Sequence, residues 1–138
     1  VPVEVFNALL EAYCLSGLAR HAEDALLMSP EVGCVPDAGS YGLVLDALRD
    51  DLARFRQLWS RMLSSSGIKP TAEMLQSALE VAVKAKDADW ACSVLELMFA
   101  ARVAPAAEAT QTLRGLPLSS GLASSVRRLL GAFKNQNL

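Results

Sequence analysis

The residues with the reactivity to do chemistry are few, and their spacing does not assemble them. The one histidine, His21, has Glu23 and Asp24 beside it, but no Ser or Cys is placed to act as its nucleophile partner. Asp50-Asp51 and Asp87-Asp89 resemble carboxylate pairs only superficially, because both stand where a helix needs a cap. Three cysteines, Cys14, Cys34 and Cys92, are an odd number without paired spacing, which argues against a disulfide framework and a zinc site and leaves reduced, mostly buried thiols. Gly-rich phosphate loops and paired metal-ligand spacings are absent. The expectation is a protein that is not an enzyme and uses no cofactor, metal or small-molecule substrate.

Composition bounds what remains. At 138 residues the chain is one domain's worth. An apolar fraction of 52% with mean hydropathy +0.28 is high for a free-standing small protein, and implies helices buried on both sides together with surface covered by a partner or by further repeats. Charges interrupt every apolar run, so no membrane span is expected. The start at Val1-Pro2, without Met or an Arg-rich leader and just before a helical pattern, reads as a piece of a longer array whose targeting peptide is removed or not included. The net charge of -2 is unlike that of most nucleic-acid binders, but it is unevenly spread. Lys and Arg number one against six acids over Val3–Asp37, five against three over Ala38–Thr71, three against five over Ala72–Ala106, and four against one beyond. A field attractive to phosphate therefore lies toward the second unit and the tail.

The elements that would position side chains begin with Val3–Asp37. Phe6, Leu9, Leu10 and Tyr13 recur at i, i+3, i+4 and i+7, the stripe of an amphipathic helix, and Ser16-Gly17 stops it. A second helix carries Ala22, Ala25 and Leu26 on one face, and Gly33 and Pro36 are expected to end it. Neither helix is long enough to stand alone, so the hairpin needs neighbours. Pro36, Pro70 and Pro105, in GCVPD, GIKPT and ARVAPA, are 34 and 35 residues apart, the period of a solenoid of helix pairs.

The second unit has Tyr41, Val44, Leu45 and Leu48 on one helix, an Asp-Asp turn able to cap the next, and Leu52, Phe55, Trp59 and Met62 on that one; Ser64–Gly67 is its terminator. The third aligns with the first without a gap: Leu75, Leu79, Ala82 and Val83, a start at Asp87 or Asp89, then Trp90, Ala91, Val94, Leu97 and Met98. Lys86 and Arg102 stand there where glycines are expected. From Ala107 the pattern dissolves into a short helix through about Arg114, a Gly115-to-Gly121 break, and a last helix with Leu122, Val126, Leu129, Leu130 and Phe133, opposite Arg127, Arg128 and Lys134. This is read as a terminal cap with a frayed Asn-Gln-Asn end.

The first unit resembles a pentatricopeptide repeat: an aromatic then Asn (Phe6-Asn7), a Leu-Leu pair, Tyr13-Cys14, Ser16-Gly17, Ala22 and a Gly-x-x-Pro-Asp close. The tetratricopeptide repeat has a similar period but wants a Trp followed by Leu-Gly in its first helix. The resemblance implies an all-α, right-handed α-solenoid of antiparallel helical hairpins, with repeats over residues 1–37, 38–71 and 72–106 and capping helices over 107–138.

It also implies a function. In pentatricopeptide proteins each repeat addresses one nucleotide of single-stranded RNA through two or three side chains. Carried over, the polar residue after the aromatic and the last residue of the repeat contact the base: Asn7 with Asp37, a pairing that favours uridine, then Gly42 with Thr71, and Gln76 with Ala106. Gly42 has no side chain to read with, and the last two combinations are not usual ones. Asn7 and Asp37 also have plainer uses as a solvated amide and a helix cap. Lys69, Arg54, Arg56 and Arg61 are candidates for phosphate contact, while Trp59 and Trp90 fall in the apolar stripes and are expected in the core. The implied role is RNA processing, stability or translation in an organelle, the mitochondrion or alternatively the plastid. The alternative is a structural scaffold whose worn repeats pack against protein subunits of an organellar ribonucleoprotein assembly such as a mitochondrial ribosome.

Overall fold

A computed structural model describes residues 2–64 and 67–136; Val1, Ser65 and Ser66 of the expected terminator, and the Asn137-Leu138 end lie outside the described residues. Among the described residues the chain is all-α, with eight helices and no strand. It divides into two compact units, Val1–Pro70 and Thr71–Leu138.

The first unit holds α1 (Val3–Leu15), α2 (Ala19–Leu27), α3 (Ala38–Ala47) and α4 (Leu52–Ser64). Helix α1 packs on both α2 and α3, α2 also packs on α3, and α3 packs on α4. The core of this unit is Phe6 and Leu10 from α1, Ala22 and Leu26 from α2, Tyr41, Val44 and Leu45 from α3, Leu48 at its end, and Phe55, Leu58, Trp59 and Met62 from α4. Tyr13 is half-buried, and Leu9, expected on the inward stripe, is exposed.

Helix α1 stops at Ser16, and Gly17 takes the left-handed conformation at φ +75°, which spares the chain the Cβ clash any other residue would suffer. Helix α2 ends earlier than the sequence pattern indicates, at Leu27 rather than near Gly33. Pro30 is the reason: it lacks the N–H to continue the ladder and its ring collides with the preceding turn. Residues 28–33 make successive turns instead, in which Glu31 N–H donates to Met28 O and Gly33 N–H to Pro30 O. Cys34 N–H closes them on Ser29 O at 3.0 Å, with both residues buried.

The second unit holds α5 (Ala72–Lys84), α6 (Ala88–Ala101), α7 (Ala107–Arg114) and α8 (Ser120–Asn135). Helices α5 and α6 form its tightest pair; α7 packs on α5 and α8, and α8 on α6. Leu75, Leu79, Ala82 and Val83 are buried from α5, Trp90, Ala91, Val94, Leu95 and Met98 from α6, and Val126, Leu129, Leu130 and Phe133 from α8. Phe99 and Phe133 meet edge to face, ring centroids 5.7 Å apart. Asp87, rather than Asp89, caps α6 by accepting from Trp90 N–H at 3.1 Å, and Ser119 caps α8.

Lys86 and Arg102 follow the sequence register closely. Each lies 69 residues beyond Gly17 or Gly33, and each is left-handed, at φ +59° and +58°. The backbone holds here, without glycine, the left-handed conformation that glycine takes in the first hairpin, at about 1–2 kcal/mol per site. Part of that returns on substitution, since glycine also loosens the unfolded chain. Lys86→Gly and Arg102→Gly are each expected to stabilise the chain by about 0.5–1 kcal/mol, read as a raised urea midpoint with unchanged slope; a lowered midpoint would mean that the side chains contribute more than the strain costs.

Candidate functional site

Asn7 lies on the second turn of α1, and Asp37 is the residue immediately before α3. The packing of α1 on α3 brings them together: Asn7 Nδ2 donates to Asp37 Oδ1 at 3.3 Å. Asp37 is at the same time the cap of α3, accepting from Ser40 N–H at 2.9 Å. Ser40 returns the contact, its Oγ accepting from Asp37 N–H at 3.1 Å, so the two residues form a reciprocal capping box.

Ser40 Oγ donates to Asn7 Oδ1 and also lies 3.0 Å from Asp37 Oδ1. Ser40 is fully buried beneath the other two. The Asn7 amide is thus held at both ends, its nitrogen by a carboxylate and its oxygen by a hydroxyl, which fixes which end is which. One amide N–H and one oxygen lone pair remain for an outside partner. Asp37 therefore caps a helix and orients an amide with the same oxygen.

The Asp37 carboxyl is held below its ordinary range chiefly by the Ser40 backbone N–H, with burial opposing and the side chains of Asn7 and Ser40 adding to the depression. The site is anionic at neutral pH. Gly39 keeps it uncovered, because a Cβ there would sit 3.2 Å from Asp37 Oδ1 and 3.7 Å from Asn7 Nδ2. Ser40 and Gly39 were missed from sequence, although Asp-x-x-Ser ahead of an apolar stripe is a capping-box signal that locates Ser40.

Gln76 occupies on α5 the register of Asn7 on α1, and Ala106 that of Asp37. Its amide is taken up by backbone: Nε2 donates to Ala104 O at 2.6 Å and Oε1 accepts from Ala106 N–H at 3.2 Å. The contact between the two register positions survives with a peptide group in place of the carboxylate. In the intermediate register, Thr71 caps α5 through Met74 N–H at 3.2 Å and Gly42 contributes no side chain.

Lys69 is exposed on the segment closing the first unit and shares no hydrogen bond with the Asn7–Asp37 cluster. Arg54, expected as a phosphate contact, is instead engaged with acids, 2.7 Å from Glu23 Oε1 and 3.5 Å from Asp51 Oδ2. The acid-rich first hairpin accounts for this, since it places Glu23 within reach. Arg61 stays exposed, lining a surface groove with Glu23, Leu27, Gln57 and Leu58. Trp59 and Trp90 are both buried.

Nothing at the cysteines suggests a nucleophile. Burial, with Asp46 and Glu11 nearby, pushes the Cys14 thiol up, and Cys92 is likewise raised by burial, then by Asp89 and Glu96, against an opposing Arg128. Among the described residues no cluster of His, Cys, Asp and Glu is arranged to hold a metal ion, and no helix is long and apolar enough to cross a membrane.

An all-α chain of helix pairs with a recurring 34–35-residue register belongs in its architecture with the helical-repeat proteins. Over 76 residues, 54% of its length, the chain is 37% identical to the "Pentatricopeptide repeat-containing protein PPR5 homolog, chloroplastic" of Oryza sativa subsp. japonica. This supports a pentatricopeptide-like relationship. The chain spans 15% of the length of that relative. No family model matches the sequence.

Proposed function

We propose that the chain is part of an organellar pentatricopeptide-type protein that binds single-stranded RNA, with repeats over residues 1–37, 38–71 and 72–106 and a cap over 107–138. The observation that carries this reading is the Asn7 amide, clamped by Asp37 and Ser40 with a donor and an acceptor left over. That remaining face complements a pyrimidine edge, its N–H meeting a base carbonyl and its oxygen the N3–H of uracil, so uridine is the base we assign to the first repeat. Clamping matters energetically because a free amide would have to be ordered on binding, whereas this one is ordered already. Gln76 we assign a lesser part in RNA contact, with its amide already spent on the backbone, and Lys69 a phosphate contact. The chloroplastic label of the rice relative supports an organelle, plastid or mitochondrion, and RNA processing, stability or translation as the setting.

The test is binding of short single strands that differ at one base. Asn7→Ala is expected to lower affinity for a uridine-containing strand roughly tenfold or more, within the 1–3 kcal/mol of a good base contact, with little change for a strand lacking uridine. Equal loss on both strands would sink base readout at Asn7.

A scaffold reading is favoured by one observation. Among the described residues every large exposed apolar residue, Val5, Leu9 and Leu15 on α1 among them, falls within the first 35. At positions 35 and 69 residues on from Leu9, Val44 and Ala78 are fully buried, whereas Leu9 is 46% exposed. In that reading a protein neighbour covers this face, and Leu9→Glu would release the chain from its assembly.

A further inference from the structure

The second unit carries a feature that the base-reading register does not use. A groove of about 600 Å³ runs between the end of α7 and the length of α8, lined by Arg114, Leu118, Ala123, Val126, Arg127, Gly131 and Lys134. On α8, Arg127, Gly131 and Lys134 stand at i, i+4 and i+7, so the two cations share one stripe about two turns apart, roughly 10 Å along the axis. Arg114, the last residue of α7, adds a third cation from the facing helix. None of the three has an acidic partner among the described residues, and residues 107–138 contain a single acid, Glu108, which does not line the groove.

Unpaired cations around a cavity repel one another, a cost that an anion removes. Arg54 on α4 shows the alternative, since there the chain supplies its own carboxylates. The floor of the groove is apolar, from Leu118, Ala123 and Val126, and Gly131 leaves open space where a side chain would project: a Cβ there meets nothing within 4 Å. Cations on the rim above an apolar floor suit a ligand whose anionic groups alternate with flat or apolar ones, spaced along a line.

We propose that this groove binds the phosphodiester backbone of single-stranded RNA, with Arg114, Arg127 and Lys134 on successive phosphates and the apolar floor under a sugar or base. This rests on the RNA-binding reading above and adds to it a sequence-independent site, in a part of the chain where the repeat pattern has dissolved. Two or more phosphates, rather than one free anion, are indicated by the separation of the cations along α8.

The experiment measures affinity of the 138-residue chain for a uridine oligomer as a function of salt, for the native sequence, Asn7→Ala, and the triple variant R114Q/R127Q/K134Q. Losing three phosphate contacts should flatten the slope of log K against log salt by about two and weaken binding on the order of tenfold or more near 0.1 M salt, equally for all base sequences. Asn7→Ala should leave the slope unchanged. Gly131→Leu fills the groove while keeping every charge and improves helix propensity, so it should weaken binding with the helical content retained; this guards against a triple variant that merely unfolds. An unchanged slope in the triple variant, with binding intact, would overturn the groove while the Asn7 reading stands. Absence of any binding by the native chain down to low salt would overturn both. Poly-glutamate binding as tightly as RNA of equal charge would also overturn the assignment, pointing to an acidic protein segment as occupant.

Discussion

Phe55→Ala is expected to remove about 3–5 kcal/mol from the stability of the first unit. Phe55 has no exposed surface and stacks on Trp59 with ring centroids 6.2 Å apart and planes 15° from parallel. Truncation loses the transfer energy of the ring and leaves a cavity that α4 fills only by shifting, which would also cost Trp59 its stacking partner. A unit of about 70 residues has on the order of 4–10 kcal/mol in total, so the loss consumes much of it. Trp59 is the natural reporter: in a Trp90→Phe background its fluorescence follows the first unit alone, and the urea midpoint should fall steeply. A loss under about 1 kcal/mol would mean that the site collapses without a void.

Asp37→Ala carries the second large effect, on folding and, under the RNA reading proposed above, on base recognition as well. Stability should fall by about 1 kcal/mol through loss of the α3 cap, with a further cost for the buried Ser40 hydroxyl left with fewer partners. The pH dependence has a definite sign. The folded-state value of Asp37 is lowered, so its contribution is present above the ordinary carboxylate range and fades as pH falls through the lowered value. The native and variant midpoints should therefore differ at neutral pH and converge in acid. On the RNA reading proposed above, recognition should suffer as well, because Asn7 loses the carboxylate that orients it: uridine discrimination is expected to drop several-fold, even at temperatures where the variant is fully folded. Full discrimination in a folded Asp37→Ala chain would show that Ser40 alone suffices to hold the amide.

The apolar stripes were legible in the sequence wherever burial is two-sided. Tyr41, Val44, Leu45 and Leu48 on α3 and Leu75, Leu79, Ala82 and Val83 on α5 are all in the core as their spacing indicates. The same spacing misled for Leu9, since periodicity says which residues share a face but not whether a neighbour covers it. The Asn7–Asp37 pairing was suggested by resemblance and has a geometric basis in the packing of α1 on α3. Ser40 went unseen because a serine one turn into a helix is ordinary by composition; only its reciprocity with Asp37 gives it meaning. Arg54 illustrates a third limit: its partner Glu23 is 31 residues away, and a charge count by segment cannot assign pairs.

The double duty of Asp37 has a consequence for how such a chain can change over generations. The oxygen that starts α3 is the oxygen that steadies Asn7, so a substitution at position 37 that changes how the amide is held also disturbs where the next helix begins. At position 71 a threonine starts its helix through its own side chain, and at position 106 alanine starts its helix without any side-chain help. The helix start alone favours serine, threonine, asparagine or aspartate and tolerates others, while the coupled role accepts far fewer. Where only the helix start is needed, the wider set becomes available, and the side-chain pairing of one repeat can differ from the next while the helices stay the same.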